Sequence, residues 1–441
     1  MTTRMFLRIY GWVFLLSAAV FLFLTSPFLA AFNLLASVLP GAAPLPDSGR
    51  SLWLGLSGSM MAMIGLLSFT LAADPRQAPA WRTLLLSKAA SSVLFILFAA
   101  VERNSIFIVA SLVDGAILLH LAWLSLGSAD LADPWQARSG ILSDCVHETW
   151  FLKANDPATR DALWLRYTLD RGPAGLEGRL WYAVFDAKER RVLSGVWSEA
   201  ESGACHGSKV CRLGESALSR DAASCDSPDV SWRLRWKSLG APAFCFVRPW
   251  LHLWGVAGTA YASPLPAALF EGEVRVHGRA YTFSAAPGSV GHLWGRRRAE
   301  TWRWLHAVFP DKEGGRAAVV EILSARGRLG PFVLPRLTLA HLWSKGRHRT
   351  TSLLGSNRTW PLDGGWGFSL EFPGCSATGS CAPDPRLTAE FDYHDNDGRT
   401  LLCRNSKAGS LAFTMTDRAD GGSECFETRD SAAVETVETL T

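Results

Sequence analysis

No cysteine precedes Cys145, and no charged residue lies between Arg8 and Asp47 or between Arg50 and Asp74. Uncharged runs of that length exclude ordinary surface helices, which need one polar face. A long basic run is also missing: the net charge of +4 is spread along the chain, so nucleic acid is excluded as a partner. No Ser–His–Asp order, phosphate loop, dinucleotide fingerprint or His-rich cluster stands out, so neither cofactor nor metal is expected. Beyond Ser128 there is no long amphipathic helical pattern and no alternation of strand with helix, which excludes a parallel α/β domain.

What is present divides sharply. Hydrophobic residues make up 48% of the 441 positions, too many for one ordinary soluble protein, and the excess is concentrated at the start. Ile9–Leu39, Leu52–Ala73, Leu84–Val101 and Ser105–Leu126 are each long enough to cross a bilayer, so residues 1–127 read as a bundle of four transmembrane helices. A cleaved signal peptide competes for the first segment, but the run exceeds a typical h-region and further apolar segments follow. Residues 128–144, with Pro134 and Gly140, suit a linker.

Two signals on compartment conflict. Arg4 and Arg8 precede the first segment, and Arg76, Arg82 and Lys88 flank the second loop, whereas the alternate side carries only Arg50 and Arg103. That bias puts the N-terminus and, after four crossings, the C-terminal domain in the cytoplasm of a bacterial inner-membrane type protein. Against it, Cys205-x5-Cys211 and Cys375-x5-Cys381 share one spacing in Gly/Ser-rich loops; stapled by disulfides they would place the domain in the periplasm. A zinc site using Cys205, His206, Cys211 and Cys225 matches no common spacing.

Within the apolar segments, Asp114 and His120 are the polar exceptions. The short turn at Glu102–Asn104 makes the third and fourth helices an antiparallel hairpin, which sets Asp114 opposite Ser92 and within about a turn of Lys88. A neutralising Asp114–Lys88 pair and a proton- or ion-handling site are the two readings. Gly55, Gly58, Ala62 and Gly65 offer a small-residue face for close helix packing.

After Asp144 short alternating runs alternate with turn residues. Ala162–Leu169, Arg179–Phe185, Val192–Ser198, Ser231–Lys237, Leu269–Val276, Ala280–Ala285, Ala317–Ser324, Phe368–Phe372, Leu387–Phe391 and Ser410–Met415 read as strands. Val276-His277-Gly278-Arg279 and Asn396-Asp397-Gly398-Arg399 read as hairpin turns; the acidic residues around the latter do not fit a calcium loop, because Tyr393 and Arg404 occupy ligand positions. Two barrels are expected, 145–262 and 263–430, divided near Ser263-Pro264-Leu265-Pro266, with a disordered acidic tail at 431–441. Trp232, Trp236, Trp250 and Trp254 read as core of the first.

The densest segment is Gly291–His306, with three tryptophans, two histidines and the triplet Arg296-Arg297-Arg298 in sixteen residues. As a strand, its end puts Trp302, Trp304 and His306 on one face and Arg303, Leu305 and Ala307 on the other. That face is either core wall or ligand lining, and the arginines are either a solvated loop or a contact for lipid headgroups.

Ala162-Leu163-Trp164-Leu165-Arg166-Tyr167 followed by Leu180-Trp181-Tyr182-Ala183-Val184-Phe185-Asp186 resembles the opening strands of the lipocalin-like carotenoid 1,2-hydratase/tocopherol cyclase superfamily. The resemblance continues through Gly272-Glu273-Val274, Tyr281, the His292/Trp294-Gly295 motif with Trp302-x-Trp304, and Tyr393 to Asn405, covering most of 145–415. It implies an all-β part of tandem lipocalin-like antiparallel barrels enclosing an apolar ligand, an isoprenoid or other lipid. Some members protonate or hydrate a double bond, or close a ring on it. Trp164, Tyr281, Trp294, Arg296, Trp302 and Trp304 are the expected lining, with His292 and His306 as the acid–base candidates. Several relatives carry an acidic residue before the motif histidine and a polar one after it; Gly291 and Leu293 stand there in this chain, and Glu300 is the nearest acid. Three functions follow as expectations: a membrane-anchored binding protein for a hydrophobic ligand, a hydratase, cyclase or isomerase acting on that ligand, and a four-helix transport or redox-partner module with an accessory β-domain.

Overall fold

In a computed structural model of the chain, residues 3–45, 52–75, 77–130, 133–138, 145–172, 175–199, 209–247, 251, 257–309, 318–352, 355–395, 397–419 and 421–440 are described. They form two compact units, Met1–Ala132 with Pro249–Gly255, and Asp133–Arg248 with Val256–Thr441. The apolar N-terminal sequence folds as helices α1 (Thr3–Phe23), α2 (Thr25–Ser37), α3 (Leu52–Ala73), α4 (Ala78–Glu102) and α5 (Ile106–Asp130). Four stretches are long and apolar enough to cross a membrane: Thr3–Phe23, Gly55–Ala73, Pro79–Glu102 and Ile106–Ser125. The expected single span Ile9–Leu39 is broken. Leu24 leaves helical geometry at φ −123°, ψ 35°, and Pro27 has no N–H for the carbonyl of Phe23 four residues back. Helix α1 packs on α3 closely at Gly65, where an added Cβ would lie 3.0 Å from the carbonyl oxygen of Gly11. Helix α4 ends on Arg103 in the left-handed region, and the Asn104 side chain accepts the Ile106 N–H, capping α5.

The second unit is entirely β among its described residues of regular structure, apart from turns. Its first sheet comprises β1 (His147–Asn155), β2 (Ala162–Gly172), β3 (Gly175–Asp186), β4 (Arg191–Glu199), β5 (Lys209–Leu213), β6 (Ser216–Ser219), β7 (Ala222–Asp226), β8 (Val230–Ser238), β9 (Phe244–Cys245), β10 (Thr259–Val276) and β11 (Arg279–Gly295). They run in the order β4-β3-β2-β1-β11-β10-β8-β7-β6-β5, with β9 on β10. The second sheet comprises β12 (Thr301–Phe309), β13 (Ala318–Arg326), β16 (Leu337–Ser344), β17 (Arg347–Thr350), β18 (Arg358–Leu362), β19 (Gly365–Phe372), β20 (Cys375–Ala382), β21 (Thr388–His394), β22 (Thr400–Asp417) and β23 (Ser423–Thr439). Its order is β17-β16-β13-β12-β23-β22-β20-β19-β18, with β21 on β22, while β14 (Arg328–Leu329) and β15 (Phe332–Val333) form a separate hairpin. All pairings are antiparallel and each sheet curls into a half-barrel, bringing β3 near β5 and β16 near β18. The fold class expected from the sequence is therefore the one found.

Several expected boundaries move. The Ser263–Pro266 division falls inside β10, and the chain changes sheet between Gly295 and Thr301. The tail expected to be disordered is the end of β23, because Ala432, Ala433, Val434 and Val437 are buried although their neighbours are acidic. The linker region begins inside α5, and at its far side Arg138 is buried. Cys375 and Cys381 stand at opposite ends of β20, both buried on one face. Six residue steps of strand set them about 20 Å apart, so they cannot bridge each other. Cys205 and His206, like Trp250, Trp254 and Asn396, lie outside the described residues. Cys211 and Cys225 lie in the first core with Trp232 and Trp236. The Val276–Arg279 turn is a hairpin with His277 at φ 49° and Gly278 at φ 77°, the pair of positive values a type I′ turn needs.

Alternation places the functional residues. In β1, Trp150, Leu152 and Ala154 enter the core of the first sheet, so Phe151, Lys153 and Asn155 point the other way. In β12, Leu305 and Ala307 enter the core of the second sheet, so Trp302, Trp304 and His306 point out of it. These outward faces meet in a seam between the sheets. One end of the seam is apolar, with Trp164, Trp181 and Phe185 against Phe391, Tyr393 and Val437. Another part joins Phe246 and Tyr261 to Trp304 and Leu339.

Candidate functional site

Between those apolar parts the seam is polar. Cross-strand register sets His306 opposite Glu321, Glu321 opposite His341, Trp304 opposite Glu435 and Glu435 opposite Asn405. Directly opposed residues share a face, so His341, Glu321 and His306 form one row across β16, β13 and β12, and Trp304, Glu435 and Asn405 a second across β12, β23 and β22, two positions along β12 on the same face. The first sheet answers with Lys153, Asn155 and Tyr261. Glu321, Lys153, His306, Asn405 and Lys407 are all essentially inaccessible to solvent.

Glu321 is the centre. Its Oε1 accepts from the Tyr261 hydroxyl and from Trp304 Nε1 at 2.9 Å. Burial pushes its carboxyl up to about 7, against the opposing pull of these donors, Ser263 and Lys153. The same burial, with the neighbouring charge of Lys407, lowers the Lys153 ammonium to about 7. Lys153 Nζ donates to Asn155 Oδ1 at 3.0 Å and to the Ser431 carbonyl at 3.2 Å. Lys407 is lowered to about 8, chiefly by burial; its ammonium lies 4.7 Å from the centre of the Trp304 ring and 3.8 Å from Glu435 Oε2. His306 Nε2 sits 2.8 Å from the Pro266 carbonyl, which only accepts, so Nε2 carries the hydrogen. Burial and the lysines hold the ring well below its usual range and hence neutral, leaving the Nδ1 lone pair without a protein partner. The Asn405 amide likewise has no partner on either atom.

Charges of this kind do not stabilise a seam, because desolvating them offsets most of their mutual attraction. The neighbouring stretches of the same seam use apolar residues. A carboxyl raised toward neutrality, a neutral imidazole with a free lone pair and two ammonium groups lowered toward neutrality, walled by Phe151, Tyr261 and Trp304, can take up and return protons beside an apolar molecule. Phe151 stands edge-on to Trp304 with ring centres 5.2 Å apart.

The two expected histidines are not brought together. His292 lies on the core-facing side of β11, directly opposite Trp150 on β1. Its ring stacks on Trp150 at 4.4 Å and 6° and lies 4.6 Å from the Trp294 ring, tilted by 34°. Nδ1 is 2.7 Å from the Pro134 carbonyl and must donate; Nε2 is 2.8 Å from Glu148 Oε1. One proton is therefore shared along the second contact, either imidazolium with carboxylate or imidazole with carboxylic acid. Glu148 also accepts the Arg138 N–H at 2.6 Å. The acid beside His292 thus comes from β1, on the opposite face of the strand from Gly291. At Gly291 an added Cβ would lie 2.3 Å from the Phe151 ring, so no acidic side chain fits there.

The remaining expected residues divide between seam and frame. Trp164 lies in the seam, its ring centre 5.2 Å from that of Phe391, and Trp302 donates to Glu435 at 2.8 Å. Tyr281 donates to Asp186 and belongs to the first core, as Trp294 belongs to a small cluster with Cys145 and Ala260. Arg296 is half-buried, its N–H donating to the Gly258 carbonyl. Arg298, expected in a solvated or lipid-facing loop, is buried between Asp170 at 2.7 Å and Asp395 at 3.1 Å. In the helical unit, Lys88 Nζ lies 3.1 Å from Asp114 Oδ1, Ser91 also donates to Asp114, and the His120 ring accepts from or donates to the Tyr10 hydroxyl at 2.7 Å. Among the described residues no group of three or more His, Cys, Asp or Glu is placed to hold a metal.

Sequence reasoning missed Glu148, Lys153, Tyr261, Glu321, Lys407 and Glu435. One signal was available: Glu321 interrupts the apolar run Ala317-Ala318-Val319-Val320-Glu321-Ile322-Leu323, where a solvent-facing charge has no reason to fall.

Two sequence relatives, uncharacterized proteins from two strains of Mycobacterium tuberculosis, are each 26% identical over 301 residues, covering 64% of this chain and 84% of theirs. No family model matches. Among solved structures, CghA with Sch210972 is 12% identical with a TM-score of 0.47, covering 70% of this chain and 97% of its own. Kievitone hydratase from Nectria haematococca is 10% identical at a TM-score of 0.44, covering 70% and 91%. An AttH candidate from Nitrosomonas europaea is 12% identical at 0.45, covering 70% and 96%.

Proposed function

We propose that this chain is a membrane-anchored, lipocalin-like enzyme that takes an apolar ligand of the lipid or isoprenoid class into the seam between its two sheets and moves a proton on it. The observation that carries this reading is Glu321: a buried carboxyl held near neutrality by an aromatic wall, with Tyr261 and Trp304 fixing its position. In the protonated form it gives its proton to one carbon of a double bond. Water adds to the other carbon and returns a proton to the carboxylate, giving hydration; loss of a different proton from the cation gives isomerisation or, with an internal nucleophile, a ring. In isomerisation or ring closure, neutral His306, with Nδ1 open, receives the proton that leaves the cation. His292, with both nitrogens engaged, holds the frame. The charge bias of the helices supports a cytoplasmic β-unit, and Cys375 and Cys381 give no disulfide argument against it.

Mass spectrometry of the lipid that co-purifies with wild-type protein and with Glu321→Gln tests this. Wild type should carry a product, and Glu321→Gln its precursor, lighter by one water for hydration or equal in mass but different in retention for isomerisation. Identical ligands in both proteins would make the chain a carrier instead.

A further inference from the structure

The second sheet carries a charge imbalance that the overall composition hides. From Ile322 to Leu362 there is no aspartate or glutamate, yet there are seven lysines and arginines and two histidines. The β14–β15 hairpin lies in this stretch and pairs only with itself. Gly330, at φ +57°, turns it, and Leu334 closes it through an N–H to the Gly327 carbonyl at 2.9 Å.

Its tip is apolar and uncovered. Phe332 is 72% exposed, and Leu329, Val333 and Leu337 are exposed beside it. Elsewhere in the β-unit, among the described residues, only Val196, Leu362 and Leu440 of the large apolar side chains are exposed, each far from the others in sequence. Below the tip stand arginines. Arg328 bonds Glu300 and Arg336 bonds the Ser324 carbonyl and Thr301, while Arg326 is exposed. Arg336 is crowded enough by burial, Arg303 and Arg326 that its guanidinium is pulled below its ordinary value, with Glu438 the one acid opposing.

An apolar tip above a collar of arginines matches the layering of a bilayer surface, in which acyl chains lie beneath a phosphate plane. Arginine suits that plane because its planar fork pairs with phosphate oxygens. We infer that the β14–β15 hairpin inserts Leu329, Phe332 and Val333 into the interface of an anionic membrane, with Arg326, Arg328 and Arg336 at the headgroup level. The β-unit then has its own contact with the bilayer from which an apolar ligand is drawn. The inference shares with the proposed function only the presence of a membrane.

Photo-crosslinking of the full chain in native membranes tests it, with p-benzoylphenylalanine in place of Phe332 and, as the comparison, in place of Val196. Both positions are exposed, so neither change disturbs a core. The expected result is lipid adducts several-fold more abundant at position 332 than at 196, reduced when Arg326→Glu is added. Equal lipid adducts at both positions overturn it, as do adducts at 332 with protein, which would mark a second copy or a protein partner. Retention of the chain in membranes after alkaline carbonate washing reports the helices separately, and the lipid product reports Glu321, so each reading fails on its own measurement.

Discussion

Two buried histidines, both from the Gly291–His306 segment, have opposite surroundings. His292 has a partner for each nitrogen, two tryptophans packed against its ring and a carboxyl partner that is itself held by a main-chain N–H. His306 has one nitrogen bound to a proline carbonyl and one with no protein partner, in a row with a raised carboxyl and two lowered ammonium groups. The difference separates frame from chemistry. A fully engaged polar cluster fixes the fold, whereas a buried cluster with titratable groups shifted toward neutrality and an open lone pair retains the capacity for proton transfer.

Breaking the engaged clusters should damage stability most. Arg298→Ala removes the buried guanidinium that bridges Asp170 and Asp395, leaving Asp395 to Arg399 and Asp170 only the longer contact with Arg179, and should lower unfolding free energy by about 3 kcal/mol. Thermal melting in mild detergent measures it; an unchanged melting temperature would mean Arg298 is not a tie between the sheets. His292→Ala should cost about 3 kcal/mol through the emptied space beside Trp150 and Trp294 and the loss of one of the partners of Glu148. Conversion of ligand per folded molecule should survive this change. Its complete loss in folded protein would return His292 to the chemistry.

The seam should behave in the opposite way. Glu321 has its folded-state pKa raised from 4.5 to about 7, so its contribution to stability is present below pH 4.5 and lost as pH rises to 7. Glu321→Gln should therefore gain on wild type by about 3 kcal/mol between pH 5 and pH 8 while abolishing turnover. A melting difference that does not change with pH contradicts the raised carboxyl. Lys153 is the mirror image: its pKa is lowered from 10.5 to about 7, so its contribution is present above 10.5 and lost as pH falls to 7. Lys153→Met should gain on wild type by about 2 kcal/mol on going from pH 9 to pH 7, followed by the same melts.

The sequence revealed the frame more fully than the site. Every expected strand lies in or largely within an observed one, because period-2 alternation and the His277-Gly278 turn are local signals. The faces of β12 were also legible, with Trp302, Trp304 and His306 on one side. What that side meets was not. A strand covered on one face looks like any barrel wall, and β1 and β12 are covered on both. The same blindness hid the partners: Glu148 is 144 residues from His292 in sequence, and Tyr261 is 60 from Glu321. It also made β23 look like a tail, since its acidic positions mask the short buried run Ala432-Ala433-Val434. The break at Leu24 was missed for a simpler reason, because hydropathy alone does not register Pro27.

The central claim is that Glu321 transfers an exchangeable proton to a carbon of the bound ligand. Turnover in deuterated water measures this directly: wild-type protein should leave carbon-bound deuterium in the ligand it releases, and Glu321→Gln should leave none. Ligand without carbon-bound deuterium from wild type, or equal labelling by both proteins, would contradict the account.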